Sequence, residues 1–247
     1  MKIVIIGGTG LIGTKLAARL REHGHEAVQA APSTGVDALT GEGLADALAG
    51  ADTVVDVANS PSFEDAAVLE FFTTATGNLL AAEQEAGVGH HVALSVVGTE
   101  RLPGSGYLRA KVAQEDLIAK SPIPYSIVHA TQFYEFTRMI ADNATEDGAV
   151  RVAPVSFQPI AGDDVAAAVG RVAAGTPLNG RVEIAGPDRY RMDGFFREAL
   201  AAWDDPREVV TDPHARYFGT ELEDLSLVPN GDALLGEIHY ADWPGRG

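Results

Sequence analysis

The sequence contains no cysteine. Disulfides, thiolate-ligated zinc and redox thiol chemistry are therefore excluded, and the lack fits a reducing compartment, so a cytoplasmic protein is expected. Cations are scarce: 18 Lys and Arg stand against 35 Asp and Glu, a formal charge of −17 over 247 residues. Such a chain repels nucleic-acid phosphates and anionic lipids, so neither is expected as a partner. The acids are spread along the chain rather than gathered in a tail, which describes a solvated surface. No run approaches the roughly 20 apolar residues of a membrane span. The apolar run Ile3–Ile6 is too short for a signal peptide and leads straight into glycines. Internal repeats and low-complexity tracts are also missing.

What is present is an alternation. Strand-like runs at Ile3–Ile6, Glu26–Ala30, Thr53–Val57, His91–Ser95 and Tyr125–His129 are separated by helical patterns. The helices are expected over Leu11–His23, Leu44–Leu48, Phe63–Ala86 and Tyr107–Lys120, with Gly24 and Gly87 as stops. This order predicts an α/β fold, a parallel sheet covered by helices on both faces. Beyond residue 130 the rhythm loosens. A helix is expected over Phe133–Asn143, strands at Val150–Ala153 and Arg181–Ile184, and a helix over Asp163–Ala174. We expect a core over residues 1–185, with 131–147 contributing to a substrate pocket. Residues 186–247, richer in Pro, Asp and aromatics, are expected to form a small cap that does not fold alone.

The first strand runs into Gly7-Gly8-Thr9-Gly10-Leu11-Ile12-Gly13, which opens a helix. Glycines let the backbone turn sharply and approach a diphosphate, and the helix N-terminus offers unpaired N–H groups. Gly7, Thr9, Gly10, Leu11, Ile12 and Gly13 are thus candidate dinucleotide contacts. The end of the second strand carries neither the acid that binds an NAD ribose nor an arginine. Ser33 and Thr34 stand there instead, as donors to a 2′-phosphate or as ordinary turn residues, and Lys15 adds charge nearby. The cofactor expected is NADP, slightly preferred, or NAD.

Tyr107 and Lys111 share a helix face at i, i+4. An ammonium beside a phenol lowers its pKa and suits it to protonate a reduced carbonyl, and the same Lys can hold the nicotinamide ribose. Ser95 ends the preceding strand, where ligands bind in open α/β sheets, and its hydroxyl is a candidate donor to the substrate oxygen. Phe133 and Phe136, with Tyr134, are either pocket lining or plain core. His90 and His91 point to opposite faces of a strand, so no metal site is expected. Asp163 and Asp164 read as partners of a helix start, His129 as a structural histidine, and Trp203 and Trp243 as anchors of the cap.

The segments GGTGLIG, LSVVG with YLRAK, and TQFYEF resemble the short-chain dehydrogenase/reductase superfamily in its atypical, NmrA-like branch. The resemblance implies a Rossmann-type doubly wound parallel sheet, NAD(P) binding and a small C-terminal substrate cap. It matches Ser95, Tyr107 and Lys111 to the Ser–Tyr–Lys catalytic pattern. It matches Ala58, Asn59 and Ser60 to the segment running along the cofactor, and Asp37 to an acidic position near the adenine. Two features depart from the branch: no Arg follows the second strand, and His129 stands where Arg is common. The function expected is an NAD(P)H-dependent oxidoreductase acting on a small to medium carbonyl or quinone, with Tyr107 as general acid. The alternatives are a non-catalytic dinucleotide-binding redox sensor and an isomerase or epimerase that retains NAD. A small-molecule partner is expected; the oligomeric state is left open.

Overall fold

The computed structural model describes residues 1–246; Gly247, the last residue of the segment 186–247, lies outside the described residues. The first half alternates β1 (Lys2–Ile6), α1 (Leu11–Glu22), β2 (Glu26–Ala30), α2 (Leu44–Leu48), β3 (Thr53–Asp56), α3 (Asp65–Ala86), β4 (His90–Val96), α4 (Gly106–Lys120) and β5 (Tyr125–Ala130). There follow α5 (Thr137–Asn143), β6 (Thr145–Glu146), β7 (Ala149–Val152), β8 (Ser156–Phe157), α6 (Gly162–Ala173) and β9 (Gly180–Ala185). The remainder comprises β10 (Tyr190–Arg191), α7 (Met192–Ala202), β11 (Val209–Thr211), β12 (Arg216–Tyr217), β13 (Thr220–Glu221) and β14 (Leu234–Leu235).

Among the described residues, seven strands form the central sheet in the order β14-β9-β5-β4-β3-β1-β2, and every pairing is parallel. This is the helix-covered parallel sheet that the alternation predicts, in the Rossmann-type doubly wound arrangement that the resemblance implies. Alternating side chains of β1 serve both faces. Ile3 and Ile5 pack with Leu16 and Leu20 of α1 and Val165 and Val169 of α6, whereas Val4 and Ile6 pack with Leu44, Leu48 and Leu79 on the other side. The β-branched strands are apolar on both faces because helices cover both. Sequence order reverses at β1, which lies between β2 and β3, so the loops after β1 and β3 open side by side at the carboxyl edge of the sheet.

The second core is aromatic. Tyr134, Phe157, Phe195, Phe196 and Tyr240 are buried in one cluster, with Tyr217, Trp203 and Trp243 packed against it. Phe195 and Tyr240 lie 4.7 Å apart between ring centroids, and Tyr134 and Tyr240 5.1 Å. Residues from 134–157 and from 192–240 thus share one core. The last strand, β14, leaves that cap and pairs with β9 at the sheet edge.

One element differs from expectation. The helix over Phe133–Asn143 begins only at Thr137, because Phe133 is extended and pairs with Ile160, and Tyr134 N–H donates to the Ile160 carbonyl. A 3-10 turn, Tyr134–Phe136, joins the two conformations.

Leu16 is fully buried between α1, α6 and the sheet. Leu16→Ala should lower unfolding free energy by about 2–5 kcal/mol in urea titration, since a packed interior collapses only partly around the deleted atoms.

Candidate active site

The loop after β1 is built by close backbone approach. Gly7 has φ +75, and a Cβ placed on it would stand 2.7 Å from the Ala58 backbone. A Cβ on Gly8 would stand 2.7 Å from Gln29 Cα, and one on Gly13 2.6 Å from Gly8 Cα. Gly10 differs: it is exposed, its nearest neighbour would be the Gly7 carbonyl at 3.3 Å, and it caps α1 with no side chain over the helix end. No acid occupies the first turn of α1. The N–H groups of Leu11, Ile12 and Gly13 therefore face the crevice free of any carboxylate, as an anionic diphosphate requires. A backbone cradle with no side chain in it and a bare helix N-terminus fit a dinucleotide.

Around this loop the expected contacts are distributed unevenly. Ser33 Oγ lies 3.4 Å from Thr9 Oγ1, beside the glycines. Thr34 is spent within its own turn, accepting from Ala31 N–H. Lys15 is tied to Asp163 at 2.7 Å, and Asp37 accepts from the Leu39 and Thr40 amides, holding its own turn. Asp164 accepts from the amides of Glu237 and Ile238 and so fastens the C-terminal segment; the cap of α6 is Ala161. Of the segment after β3, Ala58 N–H is turned back to Asp56, Ser60 is buried, and Asn59 reaches the crevice.

Tyr107 lies in the first turn of α4. Its hydroxyl donates to Asn59 Oδ1 at 3.0 Å, and its ring packs 5.9 Å from those of Phe63 and Phe72. Gly7, Ala58, Asn59 and Tyr107 thus form a continuous path from the glycine loop to the phenol. Burial pushes the phenol up to about 12, the opposite of the depression expected from a neighbouring Lys. The reason is where Lys111 points. The residue is 2% exposed, and its ammonium donates to the Leu94 carbonyl at 2.9 Å and to Gln114 Oε1 and lies 4.4 Å from the centre of the Phe72 ring. Burial lowers Lys111 to about 8, against the opposing pull of Asp56 and Glu115. Gln114 passes the connection on, donating to Asp56 Oδ2 at 2.9 Å.

Ser95 makes no hydrogen bond to Tyr107. Its hydroxyl donates to Glu115, whose other oxygen lies 3.1 Å from His129 Nε2. Burial alone would raise Glu115, but His129 and Ser95 together hold it below the usual carboxylate range. His90 and His91 do diverge, to Ser126 and Glu83 respectively. Phe133 and Phe136 stack 5.4 Å apart; Phe133 packs on the sheet core and Phe136 is 39% exposed. Among the described residues, no three His, Asp or Glu side chains converge as metal ligands, and no helix is long and apolar enough to cross a membrane.

Sequence reasoning missed Asp56, Phe63, Gln114, Glu115 and Tyr217. Three of these carried a signal: Gln114 and Glu115 fall three and four residues after Lys111, on its helix face. Asp56 was an acid closing an otherwise apolar strand.

Two outcomes are expected. Gly10→Val should abolish dinucleotide binding in calorimetry while leaving the chain largely folded, with at most a small fall in Tm, whereas Gly13→Val, which meets backbone at 2.6 Å or less, should lower Tm strongly as well. The folded protein releases the Lys111 proton near pH 8, the unfolded chain near its ordinary 10.5. Between those values the unfolded state binds more protons, so stability gains a component that rises with pH. Urea titrations from pH 7.5 to 10 should show this component lost in Lys111→Met.

Residues 7–174 match the family described as NAD(P)H-binding. Over 204 residues the chain is 28% identical to a (4-alkanoyl-5-oxo-2,5-dihydrofuran-3-yl)methyl phosphate reductase of Streptomyces griseus, covering 75% of this chain and 68% of that one. It is 22% identical over 149 residues to a photosystem II assembly factor of Synechocystis, covering 55% of this chain and spanning only 46% of that protein. In three dimensions it is similar to a crystal structure of dTDP-glucose 4,6-dehydratase from Streptomyces venezuelae with NAD bound, at TM-score 0.74 and 16% identity, with 100% and 95% of the two chains covered. The structural likeness speaks for the fold, and the match over two thirds of the sequence, beginning at the first residue of the glycine loop, for the cofactor: the chain belongs to the NAD(P)H-binding family.

Proposed function

We propose that this protein is an NAD(P)H-dependent reductase of the atypical short-chain dehydrogenase/reductase type, NmrA-like, acting on a small to medium carbonyl or quinone. The observation that carries the reading is the path from Gly7 through Ala58 and Asn59 to the Tyr107 hydroxyl, which sets a phenol at the mouth of the dinucleotide crevice. The bound dinucleotide supplies the hydride. Tyr107 supplies the proton: a phenol raised to about 12 is fully protonated at neutral pH and is a donor to a developing alkoxide. That proton is donated to Asn59 Oδ1 in the free protein, so the hydroxyl would rotate from Asn59 to the substrate oxygen to deliver it, while the Asn59 amide N–H is free to donate to the same oxygen. Ser95, whose hydroxyl is committed to Glu115, supports α4 against β4 from below.

Thr9, Gly10, Leu11, Ile12 and Gly13 would hold the diphosphate and Ala58, Asn59 and Ser60 line the nicotinamide side. Lys111 would hold the ribose, giving up its bond to Gln114 to do so. NADP is favoured by Ser33 at the loop mouth and by the absence of an acid closing β2. Asp37, turned into its own loop, lies nearest the adenine side. Residues 131–147, with Phe133 and Phe136, join residues 186–247 as the substrate cap, a unit that does not fold alone because its aromatic core draws on both segments. The named relative from Streptomyces griseus is a reductase, in line with this reading.

A second reading, a dinucleotide-binding regulator without turnover, draws support from Lys111 and Ser95, both engaged inward. Separate titrations with NADPH and NADH, followed by a screen of aldehydes, ketones and quinones, decide between them. Tyr107→Phe should cut carbonyl reduction by about 100-fold or more while leaving NADPH affinity in place. Binding of NADPH with no turnover of any carbonyl would support the regulator.

A further inference from the structure

A cavity of about 270 Å³ lies in the cap, between α5, β7, the start of α7 and the β12–β13 hairpin. That is space for about nine waters at ~30 Å³ each. Ile140, Met192 and Leu222 form its apolar wall, and its polar lining includes Arg151, the exposed Arg216, Asn143 and one carboxylate, Glu146. In a chain so short of cations, guanidinium groups are mostly taken: Arg191 and Arg197 by Asp193, Arg207 by Asp205 and Asp142, Arg109 by Asp65, Arg181 by Glu100. The Arg216 guanidinium has no hydrogen bond or ion pair among the described residues. Arg151 approaches only Glu146, at 3.8 Å, and that carboxylate is 75% exposed, so the pair is weak and readily exchanged.

The cavity also adjoins the reaction crevice. Tyr217 lines it and is packed against the same aromatic cluster as Tyr107. The hairpin that carries Arg216 and Tyr217 is held in an unusual turn, with Phe218 at φ 44, and Thr220 closes against Gly104 just before α4.

We infer that this cavity receives the anionic oxygen group of the substrate, a carboxylate or phosphate ester, with Arg216 and Arg151 as its counter-charges and Tyr217 as the partition between that group and the reacting carbonyl. The inference rests on the reductase reading for the word substrate; the anion site itself does not. Guanidinium forks recognise both kinds of oxyanion in bidentate fashion. Neutral carbonyl compounds then leave Arg216 unmatched and are the poorer substrates.

Calorimetric titrations at low ionic strength with inorganic phosphate and with succinate, without turnover, test the site directly. One of them should bind at one equivalent, and which one binds identifies the group. Arg216→Gln should weaken that binding tenfold or more, Arg216→Lys should recover part of it, and Arg151→Gln provides a second, independent loss. With NADPH present, the ratio of kcat/KM for an aldehyde ending in a carboxylate or phosphate to that for a neutral aldehyde of equal length should fall at least tenfold in Arg216→Gln. Failure of both anions to bind, or equal binding by Arg216→Gln and the parent, overturns the inference. Anion binding that needs Arg216, in a protein that reduces no carbonyl, overturns the reductase reading and leaves the anion site standing.

Discussion

Backbone meets backbone where the ends of β1 and β3 come together, and the rest of the molecule is arranged around that contact. Gly7, in a left-handed conformation, lies so near Ala58 that no side chain fits between them. The contact places two loops at the one position where the sheet's order reverses, and it leaves the helix end behind Gly10 open to solvent. Any side chain there would close the crevice before a ligand reached it. Packing inside the sheet and recognition outside it are thus two results of the same missing Cβ atoms.

Behind the crevice lies a layer of buried polar groups between the sheet and the α3–α4 pair. Asp56 accepts from Ala58 N–H with one oxygen and from Gln114 with the other, and Gln114 in turn takes the Lys111 ammonium. The segment that bears Asn59 is therefore linked through side chains to the helix that bears Tyr107. Alongside it Glu83 and His91, both fully buried, pair at 2.8 Å; burial opposes the charge on each ring and carboxyl, and the Glu83 carboxylate still raises His91. Buried charges persist only when each has its partner. A layer of this kind fixes the helix rotation and hence the direction in which the phenol points.

Much of this was legible in the sequence, and the parts that were not share a cause. Strands of β-branched residues and glycine-terminated helices announce themselves locally, so β1 to β5 and α1 to α4 are found within a residue or two. The glycine loop is equally local. Ser95 shows the limit. Its place at a strand end was readable, but its hydroxyl's direction depends on Glu115 across the packed helix, a contact between residues 20 apart in sequence. Lys111 is similar: its spacing from Tyr107 is local, while its engagement by the Leu94 carbonyl belongs to tertiary packing. The start of α5 was displaced by a pairing of Phe133 with Ile160, also far along the chain. In the cap, strands of two or three residues leave too little periodicity to read.

The fastening of the final segment has a consequence for synthesis. Gly236 N–H bonds to Ala185 in the sheet, Asp164 grips the amides of Glu237 and Ile238, and Tyr240 closes the aromatic cluster. Residues 236–240 leave the ribosome after the groups they fasten. The nucleotide-binding half can therefore assemble while the chain is still growing, whereas the aromatic cluster is complete only once Tyr240 has emerged.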